Sequence, residues 1–339
     1  MRAAMARRLS TLVAAALLGL STACGASSGP PPASAAPTSA TEPEGLPPLR
    51  DVGASGATTI AASPNPDWAV ATAAGVWVAG VGPGLQRYDA TTGAVTGELP
   101  IYSVCSAMDQ GFGSVWAMSC DFSSPKLVRI DATTGASTAE IPMPARLPAE
   151  SSVAAGEGAV WLLTSGSPRQ LLAVDPSTNT VTRTFPAPNG AKAVRAGLGA
   201  VWVSVAAPGQ VVRLDPGSGQ AVATVPVGQG ASFLAVGPDA VWVINASDAT
   251  VSRIDPATNA VTATIEVSSG GISGGDIAAS ADAVWVRVID DALAVRVDPR
   301  SNAVVDRLGP PAGSGGVAIA ESAVWITAHD SQSIWRLPG

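Results

Sequence analysis

His329 is the single histidine of this chain and stands beside Asp330 in TAHDSQS. An imidazole next to a carboxylate, with Asp291 as a second acid, has the residue types for a general base. A solvated loop histidine is the plainer alternative, so no catalytic residue is assigned. Asp121, Arg169, Asn245, Asp248 and Asp290 occupy loops at corresponding places in a repeat, yet they differ from loop to loop. Such variation is what a ligand-binding face requires, and these five are the candidate ligand-binding residues. HExxH and CxxC pairs are absent, and GSGG and SGGISGG lie between strand-like runs rather than ahead of a helix. No metal and no cofactor is therefore expected.

The cysteines suggest two other kinds of chemistry. Cys105 lies eleven residues before Trp116 and Cys120 four after it, which places them opposite each other on one predicted hairpin. A disulfide there would close a loop of about 15 residues and contribute about 3 kcal/mol in the chain-entropy treatment; two buried free thiols are the alternative. Cys24 follows Ser21-Thr22-Ala23 at the end of a basic start (Arg2, Arg7, Arg8) and an apolar run over 12–20 that is too short to span a bilayer. That arrangement resembles a bacterial lipoprotein signal, which implies lipid attachment at Cys24, with plain secretion as the alternative.

The elements that position these residues follow from a repeat. An aliphatic residue followed by tryptophan recurs at Trp77, Trp116, Trp161, Trp202, Trp242, Trp285 and Trp325, at intervals of 39 to 45 residues. In the clearest copy, 231–267, four short β-rich runs are divided by Gly, Pro, Asn, Asp and Ser, and none has a helical period. Asp89, Asp131, Asp175, Asp215, Asp255 and Asp298 each end a third run, and Gly or Asn follows four residues later. That spacing suits a hairpin turn closed at positive φ, with the aspartate accepting backbone N–H groups. The expected fold is all-β, a seven-bladed β-propeller of four-stranded antiparallel blades.

Only three strands remain for the seventh blade. The run at 57–61, ATTIA, is expected to supply its fourth, leaving no open sheet edge. The domain reading is a signal peptide over 1–23, a disordered Ala/Ser/Pro-rich tether over 24–56, and the propeller over 57–339. The repeated tryptophans read as packing between blades. Trp68 and Trp335, outside that register, are better placed for something specific.

The stretches at 240–267, 200–227 and 283–304 (AVWVINASDATVSRIDPATNAVTATIEV and its near copies) resemble the YVTN-repeat propellers of bacterial exported proteins, and more loosely the virginiamycin B lyase group. The resemblance spans 57–337 and implies the fold rather than an activity. Lyase chemistry in the second group implies a catalytic histidine and an acidic metal site, whereas this chain offers His329 alone.

Composition narrows the partners. Nineteen basic residues face 26 acidic ones, and loss of Arg2, Arg7 and Arg8 with the signal would move the net charge from −7 to about −10. Lys126 and Lys192 are the only lysines, and no basic stretch is interleaved with aromatics, which excludes a nucleic-acid footprint. The expected protein is a monomeric binding or scaffold module. It would sit on the outer face of the bacterial cytoplasmic membrane through its lipid, or be secreted, and take an unknown protein or small-molecule ligand. The alternative is a lyase-like or hydrolase enzyme using the loop face around His329.

Overall fold

Each tryptophan-bearing run forms the second strand of a sheet and is buried along its length, because a blade packed between two neighbours has no wet face. The computed structural model describes residues 45–339 apart from Phe122. In it, seven antiparallel sheets follow one another along the chain. The first orders Ala69–Thr72, Gly75–Val81, Gly84–Tyr88 and Val95–Leu99 from inside to outside. The next five begin with the inner strands Asp109–Gly111, Val153–Gly156, Ala191–Gly197, Ala231–Val236 and Ile277–Ala279. Val317–Ala320 opens the seventh and neighbours Ala69–Thr72, which closes the ring.

The seventh sheet takes its outermost strand from the front of the chain. Thr58–Ala61 pairs antiparallel with Ser333–Pro338, Thr59 facing Trp335. The rings of Tyr88 and Trp325, 5.6 Å apart, pack the first blade on the seventh at this seam.

Structure begins ahead of the expected boundary at 57. Arg50–Asp51 adds a parallel fifth strand to the sixth blade beside Ala303–Gly309, the Arg50 guanidinium pairs with Asp306, and Val52 is buried. An Ala/Ser/Pro-rich composition gave no sign of this, because two residues of pairing leave no periodicity. The signal peptide, Cys24 and the tether to residue 44 lie outside the described residues.

The two periodicities of the sequence meet in an inter-blade latch. Opposite Trp77, Trp116, Trp202 and Trp242 stands an arginine of the third strand: Arg87, Arg129, Arg213 and Arg253. Each guanidinium lies 5.0 to 5.6 Å from its indole centroid. Its Nη1 donates to a carbonyl in the aspartate turn of the following blade, as Arg213 does to Pro256 at 2.6 Å. In the third blade Ala173 faces Trp161, and Arg183 of the fourth strand takes over both roles. Arg336 of the last blade donates to Ala90 of the first.

The turns themselves have the expected form. Gly93, Gly135, Asn179, Gly219, Asn259 and Asn302 all have φ between 55° and 80°. Backbone and hydroxyl donors within the turns, such as Thr92 and Ser218, hold Asp89, Asp131, Asp175, Asp215, Asp255 and Asp298 below the ordinary aspartate pKa.

Candidate functional site

Inner strands of a propeller line its axis, so residues at one repeat position form a ring around the channel. Nine residues before each tryptophan stand Trp68, Ala107, Ser152, Ala193, Phe233, Asp276 and Gly316. Two of these seven are large. Trp68 of blade one and Phe233 of blade five reach across the axis, with centroids 5.2 Å apart and planes tilted by 47°. The channel therefore has an aromatic plug, with a cavity on either side.

The cavity on the loop face measures about 400 Å³, within the range of small-molecule sites. Its floor includes Trp68 and Phe233, and its wall is mostly Gly, Ala, Ser and Ile from the connections between blades and the loops between second and third strands. Three charged side chains line it. Asp67 and Lys192 come from the position ten before the tryptophan and Glu150 from the position eleven before it, where other blades carry Ser, Gly, Ala, Pro or Cys.

These three are unspent. Among the described residues, no hydrogen bond or ion pair of less than 4 Å engages the carboxylate of Asp67 or Glu150, or the ammonium of Lys192. Burial, reinforced by the nearby charge of Glu150, pushes the Asp67 carboxyl up to about 7, with His329 and Arg287 opposing and Asp276 adding to the rise. Glu150 opens on the cavity, yet the surrounding protein still raises its carboxyl, against the pull of Lys192 and His329. The Trp68 indole N–H is buried and has no acceptor.

Beyond the plug, a second cavity of about 330 Å³ contains Asp109, Arg195 and Asp276. These carboxylates are spent as staples: Asp109 accepts Ala155 N–H of the next blade at 2.9 Å, and Asp276 accepts Ile277 and Val317 N–H at 2.9 and 3.3 Å. Burial raises both carboxyls, while Arg195 draws them down.

None of the residues anticipated from the loops lines the loop-face cavity. Asp121 closes a turn on Ser123, and Arg169 donates to the Ala191 carbonyl. Buried Asn245 spends its amide on Thr250 and Ser252. Asp248 accepts Gln229 N–H at 2.7 Å and Asp290 accepts Ser273 N–H at 3.0 Å. Asp291 accepts Ser269 N–H and pairs with Arg307 at 2.9 Å. These acids brace the connections that shape the funnel. His329 Nδ1 lies 2.8 Å from Asp330 Oδ1, and Asp291 hydrogen-bonds to neither.

Trp335 is half-buried in blade seven, packed beside its core. Cys105 and Cys120 form a disulfide with Cα atoms 5.9 Å apart. Its place matters to the site, because the Cys105 carbonyl accepts the N–H of Glu150 at 3.0 Å.

Arg287, two residues after Trp285, was not singled out by its sequence context. It is fully buried and donates to four carbonyls: Thr327, Val288, Leu293 and Gly313. Burial lowers its pKa to about 10. The guanidinium holds the blade six to seven connection at the edge of the funnel. Among the described residues, no group of three or more His, Cys, Asp or Glu is gathered to hold a metal ion.

No family model matches the chain, and no curated protein matches it in sequence. A solved structure described as "Structure of U3-55K" is similar with a TM-score of 0.67 over 84% of this chain and 98% of that one, at 9% identity. In all, 1283 solved chains match its shape, so shape selects no function.

Proposed function

We propose that this protein is an exported binding module, tethered to the outer face of the cell membrane through lipid on Cys24, that takes a small ligand in the loop-face funnel. One observation carries the binding half of this reading. Five of the six charged or aromatic departures from the repeat, Asp67, Trp68, Glu150, Lys192 and Phe233 but not Asp276, converge on one 400 Å³ cavity, and the three charged groups among them are unpartnered. Unpaired charges of both signs gathered around one cavity, rather than scattered over the surface, are what a ligand site keeps. The export half is supported by the signal-like start and by the Cys105–Cys120 disulfide, which suits an oxidising compartment.

A ligand-observed NMR screen of a charge-diverse fragment library against the purified full-length protein tests the binding half. Hits are expected that vanish in Ser232→Tyr, which fills the funnel, while its melting temperature stays near wild type. An empty screen, or hits indifferent to Ser232→Tyr, removes the funnel as the site. For the anchor, mass spectrometry of membrane-extracted protein is expected to find a diacylglyceryl-modified Cys24, and Cys24→Ala to shift the protein to the medium. Unmodified Cys24 in membrane-free protein would point to plain secretion.

The enzyme alternative rests on the His329–Asp330 pair. His329→Ala is expected to leave ligand binding within about threefold, because His329 touches the funnel only through its field.

A further inference from the structure

The unpartnered groups of the funnel are of two kinds, and they call for a ligand with two ends. Asp67 and Glu150 offer negatively charged acceptors, while Lys192 offers a cationic donor. A ligand with only an ammonium group would leave Lys192 unanswered. A ligand with only a carboxylate would bring a third negative charge against two.

We propose that the funnel binds a small zwitterion of the amino-acid class, its ammonium group held by Asp67 and Glu150 and its carboxylate by Lys192. This rests on the funnel being a ligand site and adds the chemical class of its occupant. Two observations support it independently of the charges. The cavity has the volume for a compact amino acid and not for a folded partner. Its floor is aromatic and its wall largely Gly, Ala and Ile, so a hydrocarbon side chain would meet apolar surface. The other acids at the mouth cannot replace Asp67 and Glu150, since Asp248, Asp290 and Asp291 already accept backbone N–H groups and Asp330 holds His329.

The backbone assists. Glu150 has φ of 55°, and its N–H is fixed to the disulfide-bonded Cys105. Glu150, in the connection between blades two and three, is thereby anchored to blade two, while Lys192 projects from blade four and Asp67 from blade one. Three blades each contribute one charge, so the spacing of the charges depends on the whole ring rather than on one loop.

The test uses three probes of one shape on the full-length protein by isothermal titration: L-phenylalanine, which carries both charges, phenethylamine, which carries the ammonium, and 3-phenylpropanoate, which carries the carboxylate. L-alanine serves as a smaller zwitterion. At least one zwitterion is expected to bind, and if it is phenylalanine, tenfold or more tighter than either single-charge analogue. Asp67→Asn should weaken the zwitterion and phenethylamine at pH 8 while sparing 3-phenylpropanoate. Lys192→Met should do the reverse. Equal binding of phenethylamine and phenylalanine, or indifference of zwitterion binding to both substitutions, overturns the assignment. Failure of both zwitterions at 10 mM, a concentration of about 2.7 kcal/mol of affinity, also overturns it. If a library fragment of another class then binds and is lost in Ser232→Tyr, only the ligand class has failed; if none binds, the funnel reading has failed with it.

Discussion

Asp67 carries the sharpest consequence at the scale of a residue. Its folded-state pKa of about 7 lies above the ordinary 3.8, so between those values the folded protein holds a proton that the unfolded chain has released. Stability should therefore fall as pH rises from about 4 to 7. Glu150, His329, Asp276 and Arg287 all act on the same carboxyl, and Asp67→Asn keeps them in place while removing the proton site. The expected outcome is a melting temperature that declines for wild type over this window and declines less for Asp67→Asn. Parallel curves would mean that Asp67 titrates normally. The six turn aspartates act oppositely: their lowered values contribute stability above the unfolded pKa that is lost as pH falls through their folded ones. Asp109, Asp276 and Glu150, also raised by burial, slope the same way as Asp67, so only the difference between wild type and Asp67→Asn belongs to Asp67.

At the scale of the elements, the latch explains why tryptophan and aspartate repeat together. Arginine stacks on one and bonds to the turn built on the other, so both periodicities serve a single joint between blades. Arg213→Ala removes a cation–π contact and two charge-assisted hydrogen bonds, and should cost about 2 kcal/mol in denaturant unfolding. A loss below about 0.5 kcal/mol would demote the latch to a surface contact. Removal of 57–61 strips Thr58–Ala61 from Ser333–Pro338 and opens the closing blade. A drop of about 10 °C or more in melting temperature is expected, at about 2–4 °C per kcal/mol for a chain of this order; an unchanged melt would show that the blade closes without it.

The sequence made these elements legible because blades, turns and ring closure are all repeated or completed patterns. The Arg50–Asp51 strand was not legible, since it occurs once and is two residues long.

The whole molecule reads as a framework with one irregular axis. The proposed site was only half legible. The loop face named from the sequence is the one on which the proposed funnel opens, but the eight loop residues named there are tied to neighbouring backbone or side chains. The residues that open on the cavity lie nine to eleven before each tryptophan, where the repeat permits Gly, Ala or Ser and this chain departs to Asp67, Trp68, Glu150, Lys192 and Phe233. Trp68, which looked out of register, occupies that axial position in blade one. A reading that aligned blades on their tryptophans and looked for charge in the inner ring, rather than in the loops, would have found them. The loops vary because they brace connections of different lengths; the inner ring varies because the channel need not be filled identically by each blade.

The separation of framework from site can be read in a single measurement, thermal melting of wild type, Asp67→Asn and Arg213→Ala with and without whichever of L-phenylalanine and L-alanine binds wild type the more tightly. Asp67→Asn is predicted to melt at or above wild type near pH 7.5 and to lose the ligand-induced rise, while Arg213→Ala melts lower and keeps it. A ligand-induced rise that survives in Asp67→Asn but is lost in Arg213→Ala would contradict the account, because the repeated residues would then be making the site.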